Sequence, residues 1–160
     1  MKKILFNGLL LLLATALVGC KETPDVPPTP IDPVDKPDFV VEVKSVTDTS
    51  VEFTITPEDE EMTYIAMMTT KEYFDTFEDD EAYIMDDLTW LEDAAYNAGV
   101  GLNEYLEGVL KKGVISDTQD MLDPETEYVV YAFGLSNNGI VTTSLYKQTF
   151  TTLSTELTEL

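Results

Sequence analysis

The sequence predicts a mainly β domain with an α-helical insertion, over residues 38–160 of a 160-residue chain. Residues 38–70 and 127–152 carry alternating or continuous apolar runs, which are typical of strands. Between them, at about residues 71–113, apolar side chains recur every three or four positions, which is helical spacing. The change of period along the chain therefore predicts strands, then helices, then strands again.

The first strands follow from alternation. "DFVVEVKSV" starts at Asp38 and runs into "TDTS", a cluster of turn-forming residues. In "SVEFTITP", the apolar residues Val51, Phe53 and Ile55 share one face. "MTYIAMMTT" is apolar on both sides, which predicts a central strand.

Three helical segments are predicted next. "TTKE" has capping-box spacing between Thr69 and Glu72, which starts a short helix. "DDEAYIMDDLTWLEDAAYNAG" predicts a long helix that ends at Gly99, and "GLNEYLEGVLKKG" predicts a third one capped at Gly113. The apolar residues expected to face inward are Ile84, Leu88, Leu91, Ala95, Leu102, Leu106, Val109 and Leu110.

Strand pattern returns at "EYVVYAFGL", whose nearly unbroken apolar run predicts a buried central strand. "SNNG" follows, and its Asn138-Gly139 pair is a strong hairpin signal. "IVTTSLYKQTFTT" is predicted as the returning strand.

The stretch "LDPETEYVVYA" resembles the fibronectin type III pattern Leu-x-Pro-x-Thr-x-Tyr-x-Val-x-Val/Ala. The resemblance implies an immunoglobulin-like β-sandwich in which the hydroxyl of Tyr128 bonds to backbone just upstream, as a tyrosine corner. The usual tryptophan of the second strand is absent, with Phe53 or Ile55 in its place. The helical insertion is also foreign to the family, so strands are expected to be lost or rearranged on one side. The matching positions are Leu122, Pro124, Thr126, Tyr128, Val130 and Ala132.

The N-terminus has the layout of an export signal. Lys2 and Lys3 precede the apolar run "ILFNGLLLLLATALVG", which stops at Cys20, the single cysteine of the chain. A spanning helix needs about 20 apolar residues, so a transmembrane anchor is the weaker interpretation. Leu17–Cys20 resembles the bacterial lipobox, which implies a signal peptide at 1–19 and lipidation of Cys20. The alternative is a cysteine that happens to lie in a signal core.

A proline-rich segment follows at 20–37, where "TPDVPPTPIDPVDKP" predicts an extended tether. The formal net charge is −22, with 31 acidic residues and neither Arg nor His. Such a surface repels phosphate, which excludes nucleic acid as an expected partner. The lipid anchor makes the membrane the expected partner of the N-terminus.

The layout as a whole resembles small lipoproteins of Bacteroides-type bacteria, in which sandwich domains follow a lipid anchor and a proline tether. The resemblance implies an outer-membrane lipoprotein that faces the periplasm or the surface. Lys21-Glu22 is a short form of the charged stretch associated with export, and it favours the surface.

The sequence contains few of the residue combinations that enzymes use for catalysis. Without His there is no Ser-His-Asp or Cys-His arrangement, and no Gly-rich phosphate loop occurs. We therefore expect no enzyme and no cofactor, with a carboxylate-based hydrolase as a minor alternative. Calcium is a weak further candidate, because Pro57–Glu61 and Glu78–Glu81 concentrate oxygen ligands, although neither has the spacing of a calcium loop.

Aromatic residues crowd the insertion, and most are expected to seat the helices on the sheet. Trp90 and Tyr83 lie seven residues apart, on a stripe beside the apolar face of the long helix. A partly exposed stripe of this kind, together with Tyr96, predicts a surface that binds a partner. The sequence thus predicts a non-catalytic binding or adhesion module of the cell envelope; the alternative is a glycan-binding accessory protein of a polysaccharide-capture system.

Overall fold

The computed structural model describes residues 37–155. The signal peptide at 1–19, Cys20 and nearly all of the tether at 20–37 lie outside the described residues. The described part contains seven strands and three helices. Their bounds are β1 Phe39–Val46, β2 Ser50–Pro57, β3 Thr63–Thr70, α1 Lys71–Phe74, α2 Asp80–Ala98, α3 Leu102–Val109, β4 Lys111–Lys112, β5 Ile115–Asp120, β6 Glu127–Gly134 and β7 Tyr146–Thr151.

The strands form two antiparallel sheets, one in the order β1-β2-β5 and the other in the order β4-β3-β6-β7. The predicted alternation in β2 is confirmed, because Val51, Phe53 and Ile55 are buried and their neighbours are not. These side chains pack against the facing sheet and form an apolar layer that we call the inter-sheet core. Its buried members are Phe39, Val51, Phe53, Ile55, Tyr64, Leu122, Tyr128, Val130, Ala132 and Phe150. The predicted fold class, a β-sandwich with an α-helical insertion, is confirmed.

The two central strands of the four-stranded sheet, β3 and β6, are covered on both faces. Residues of β3 and β6 that point away from the inter-sheet core, such as Ile65, Val129 and Phe133, pack against the helices. We call this second layer the helix-covered core; from the helices it includes Leu91 and Leu106. Burial on two faces explains why β3 and β6 are apolar without alternation.

The insertion begins and ends differently from the prediction. The Oγ1 atom of Thr70, not of Thr69, accepts from the backbone N–H of Tyr73 and caps α1, because the helix begins at Lys71, directly after Thr70. Gly99 ends α2 in the left-handed conformation, as predicted. The prediction that Gly113 caps α3 is wrong: α3 ends at Val109 with Leu110 as its C-cap residue, and the next two residues pair with β3 as β4.

Two further segments depart from the pattern. The strand β5 was not predicted, because five of its six residues are exposed and it forms one edge of its sheet. The returning strand β7 begins only at Tyr146, and the preceding segment crosses over the end of β6. Gly134 permits that crossing, since a Cβ there would lie 2.3 Å from the Thr142 Oγ1 atom.

No helix within residues 37–155 is long and apolar enough to cross a membrane.

Candidate functional site

A stripe of four side chains on α2 forms one wall of a cleft. Tyr83, Asp86, Asp87 and Trp90 stand at positions i, i+3, i+4 and i+7, so they lie on one side of the helix. Gly99 and the N-cap residue Asp79 fix the two ends of this helix; the Oδ1 atom of Asp79 accepts from the N–H of Ala82 at 2.8 Å. The stripe is therefore held on a rigid element.

The cleft has a volume of about 420 Å³. It lies between α2, α1 and the edge of β3, where β4 pairs only with Thr63 and Tyr64 and leaves the rest of that edge without a neighbouring strand among the described residues. Its lining residues are Met67, Met68, Thr69, Tyr73, Tyr83, Asp86, Asp87, Trp90 and Tyr131. We call this the Trp90 cleft.

A buried chain of hydroxyl groups leads to a carboxylate at the cleft. The hydroxyl of Tyr83 donates to the Tyr131 hydroxyl at 3.0 Å, and Tyr131 donates to Asp87 Oδ2 at 2.8 Å. All three side chains are at least 95% buried. The chain joins α2 to β6 and fixes the position of the Asp87 carboxyl group.

The three groups have shifted pKa values. Burial raises the pKa of Asp87 to about 7; the charge of Asp86 adds to the rise, and the Tyr131 hydrogen bond opposes it. Burial likewise raises the pKa of Tyr83 to about 12 and that of Tyr131 far above its ordinary value. Both tyrosines are thus neutral donors at physiological pH, while Asp87 titrates near neutrality.

A second carboxylate is held at the mouth of the cleft. The hydroxyl of Tyr73 donates to Asp86 Oδ2 at 2.8 Å, and this hydrogen bond raises the pKa of Tyr73. The ring of Tyr73 packs edge-on against Phe77, with centroids 5.4 Å apart, and also approaches the ring of Tyr83. The aromatic packing orients Tyr73 and, through it, Asp86.

The three predicted partner-binding residues lie in different environments. Trp90 is 54% exposed and lines the cleft, whereas Tyr96 is 84% exposed and lies outside it. Tyr83 is only 2% exposed, so the expectation that it belongs to a partly exposed stripe is wrong. Its ring is enclosed by Phe74 and Phe77 at centroid distances of 4.4 and 5.1 Å.

Asp86 and Asp87 were not predicted as site residues. Their spacing from Tyr83 and Trp90 was the available signal, since three and four residues on a helix return to the same side. With 31 acidic residues in the chain, however, that spacing alone does not distinguish these two from the others.

Tyr128 does not line this cleft and lies in the inter-sheet core, on the other face of the sheet. Its hydroxyl accepts a hydrogen bond from the backbone N–H of Asp123, five residues upstream, at 3.0 Å. Its ring stacks on Phe150 with centroids 5.6 Å apart. This is the contact that a tyrosine corner makes.

The two candidate calcium segments use carboxylates in local structure. Glu61 pairs with Lys112 at 2.6 Å, and Asp80 pairs with Lys147. Asp79 and Asp80 also border an open groove that faces residues 141–145. Within residues 37–155, no group of three or more acidic or cysteine side chains is arranged to hold a metal ion.

No protein-family model matches the chain, and neither does any curated protein sequence. Among solved structures, the fold is similar to the sensor domain of the anti-sigma factor RsgI4 of Pseudobacteroides cellulosolvens, at 13% identity and a TM-score of 0.40. The match covers 74% of this chain and 97% of the other. A likeness at this level carries no argument about function.

Proposed function

We propose that this chain is an outer-membrane lipoprotein that acts as a non-catalytic binding or adhesion module at the cell surface. Residues 1–19 are its signal peptide, Cys20 carries the lipid, and 20–37 form the tether. The support for the anchor is the lipobox-like stretch Leu17–Cys20 with its single cysteine. Acyl chains contribute roughly 0.8 kcal/mol per buried methylene, so two or more hold a folded domain on a membrane.

The binding role is supported above all by the exposed indole of Trp90 beside a cleft with fixed polar walls. Because Trp90 is 54% exposed, much of its apolar surface does not contribute to the stability of the fold. Exposed aromatic side chains of this kind are frequent anchors of binding surfaces. The cleft also combines apolar walls with a few oriented polar groups, which is the usual makeup of a ligand site.

A non-catalytic role is supported by the groups at the cleft. The chain has no His, its single cysteine Cys20 is not among the residues that line the cleft, and the two carboxylates are adjacent in sequence. Glycoside hydrolysis instead uses two carboxylates placed on opposite sides of the reacting bond.

Glycan binding is the second candidate. The observation that favours it is again the exposed face of Trp90, on which a sugar ring can stack. In that case the chain would serve as an accessory protein of a polysaccharide-capture system.

The binding role is tested with the chain purified as Cys20→Ser, so that no lipid is attached. Trp90 is the only tryptophan, so its fluorescence reports on the cleft directly while oligosaccharides, peptides and amines are titrated. We expect at least one class to give a saturable change. No saturable change in Trp90 fluorescence with any class of ligand would overturn the binding role at this cleft.

Calorimetry then assigns the surface, because Trp90→Ala removes the fluorophore itself. We expect Trp90→Ala to weaken binding and the matched variant Tyr96→Ala to leave it unchanged. Equal binding by the wild type and Trp90→Ala would place the contact surface elsewhere.

The anchor and its orientation are tested by protease treatment of intact cells, with a periplasmic protein as leak control. We expect cleavage of the wild type while the control survives, and release of Cys20→Ser from the membrane fraction. Cleavage only after lysis would overturn the surface location.

A further inference from the structure

We propose that the Trp90 cleft binds an organic cation, an ammonium or guanidinium group, with Asp86 and Asp87 as counter-charges and the exposed rings of Trp90 and Tyr73 as aromatic contacts. This inference rests on the proposed binding role and names the chemistry of its ligand.

The charge of the cleft is the first observation. Asp86 and Asp87 both line it, and none of its described lining residues is basic. Asp87 is 5% exposed, its hydrogen-bond partner is the neutral Tyr131 hydroxyl, and none of the ion pairs among residues 37–155 includes it. Burying a charge is costly unless an opposite charge pairs with it. A cation in the cleft would supply the missing charge.

The aromatic walls are the second observation. Trp90 and Tyr73 both line the cleft and are 54% and 46% exposed, so part of each side chain is accessible to a ligand. A cation within about 6 Å of such a ring is attracted by roughly 0.5–2 kcal/mol.

The same molecule already contains this combination elsewhere. The Nζ atom of Lys147 lies 4.6 Å from the centroid of the Phe74 ring and also pairs with Asp80. An ammonium, an aromatic ring and a carboxylate thus meet on the neighbouring surface, with the cation supplied by the chain. The Trp90 cleft has aromatic rings and carboxylates but no basic side chain among its described lining residues, so the cation would come from a ligand.

Hydrogen-bonding capacity distinguishes a cation from a sugar. The hydroxyl protons of Tyr73, Tyr83 and Tyr131 are already donated to Asp86, Tyr131 and Asp87. The walls therefore offer two carboxylates as acceptors, with the Thr69 hydroxyl and the Trp90 indole N–H as further polar groups. An ammonium or guanidinium group can donate to these carboxylates and balance their charge, whereas a neutral sugar supplies no charge.

The affinity is expected to depend on pH. The groups that face Asp87 are Tyr131 from β6, Tyr73 from α1, and Asp86 and Tyr83 from its own helix. The pKa of Asp87 is about 7 in the free protein, and a cation pairs with the ionised form. Because most Asp87 is protonated at pH 6 and most is ionised at pH 8, the affinity should fall about tenfold from pH 8 to pH 6.

The test uses putrescine, a diamine, and its neutral counterpart 1,4-butanediol, each titrated into the Cys20→Ser chain at constant ionic strength. Calorimetry and Trp90 fluorescence are the readouts. We expect saturable binding of putrescine and none of butanediol. A blocked Ala-Lys-Ala peptide forms a second arm: tighter binding than putrescine would identify the ligand as a protein side chain, and weaker binding would identify it as a free amine.

Two isosteric variants on the same helix separate the cleft from the overall charge. Asp87→Asn and Asp93→Asn remove one charge each, but Asp93 is exposed and lies outside the cleft. We expect Asp87→Asn to weaken putrescine binding by about tenfold or more and to abolish its pH dependence, because a charged hydrogen bond contributes about 1.5–3 kcal/mol. Asp93→Asn should change the affinity less than about twofold. Trp90→Ala, at an exposed position, should weaken binding about threefold or more.

Equal losses of putrescine affinity in Asp87→Asn and Asp93→Asn would show that the amine responds only to the overall negative charge. That result would overturn the inference. Binding of a neutral oligosaccharide that Trp90→Ala abolishes, without binding of either cation, would overturn the inference while leaving the proposed binding role intact.

Discussion

The two faces of the four-stranded sheet differ in chemistry although they share the same strands. In β6, Val130 and Ala132 point into the inter-sheet core, which is apolar at its centre. Tyr131, between them, points the other way and is the middle link of the hydrogen-bonded chain from Tyr83 to Asp87. One strand therefore contributes packing on one side and a polar site on the other.

The two faces of the sheet therefore contribute differently to the molecule. The inter-sheet core contains no buried carboxylate among the described residues, and its burial stabilises the sandwich. The helix-covered core keeps Asp87 buried at a cost in stability, which is common at functional sites. The insertion thus adds a buried carboxylate to one face of the sheet, in addition to its own apolar packing.

The largest expected effect tests whether the two cores are equally well packed. Ile55→Ala in the inter-sheet core and Leu91→Ala in the helix-covered core should each lower the free energy of unfolding by about 2–5 kcal/mol, since both side chains are at most 1% exposed. Urea denaturation followed by circular dichroism measures both. A cost below about 1 kcal/mol for Leu91→Ala would show that the helices pack loosely.

The second prediction concerns the pH dependence of stability. Asp87 has an ordinary pKa of 3.8 and a folded-state pKa of about 7, so the folded state binds more protons between these values. The free energy of unfolding should therefore fall as pH rises from about 4 to 7, by up to about 4 kcal/mol from this residue, and level off above pH 8.

Denaturation of Asp87→Asn across this range isolates the contribution. The variant should lose the decline and be more stable than the wild type at pH 8, whereas Asp93→Asn should keep the decline. An unchanged pH profile in Asp87→Asn would refute the assignment of the buried carboxylate as the source.

The third prediction separates the two links of the polar chain. Tyr131→Phe removes a donor to a charged group and should cost about 1.5–3 kcal/mol at pH 8, and less at pH 6, where Asp87 is mostly protonated. Tyr83→Phe removes a bond between neutral groups and should cost about 1 kcal/mol at either pH. Equal costs at pH 8 would contradict the charged state of Asp87.

The smallest expected effect tests how α2 is fixed. Asp79→Ala removes the N-cap and should cost about 1 kcal/mol, whereas Glu92→Ala, at an exposed position of the same helix, should change stability by less than about 0.5 kcal/mol. Thermal unfolding of the two variants provides the comparison. Matching values would indicate that packing alone positions the helix.

The local sequence pattern predicted which segments form strands and helices better than it predicted what those segments pack against. The alternation in β2 and the stop at Gly99 follow from nearby residues, and the structure has both. The exposed edge strand β5 gave no periodic pattern. The end of α3 was missed because pairing of Lys111 and Lys112 with β3 overrides the Gly113 cap.

The sequence by itself determined the succession of strands, helices and strands and the strong negative charge. It left open whether each aromatic residue of α2 is exposed or buried. Only the tertiary structure decided that Tyr83 is buried, that Trp90 is exposed, and that Asp87 titrates near neutrality. The physical reason is distance along the chain. Tyr131 and Asp87 are 44 residues apart, and burial, hydrogen bonding and pKa arise only when the sheet and helix bring them together.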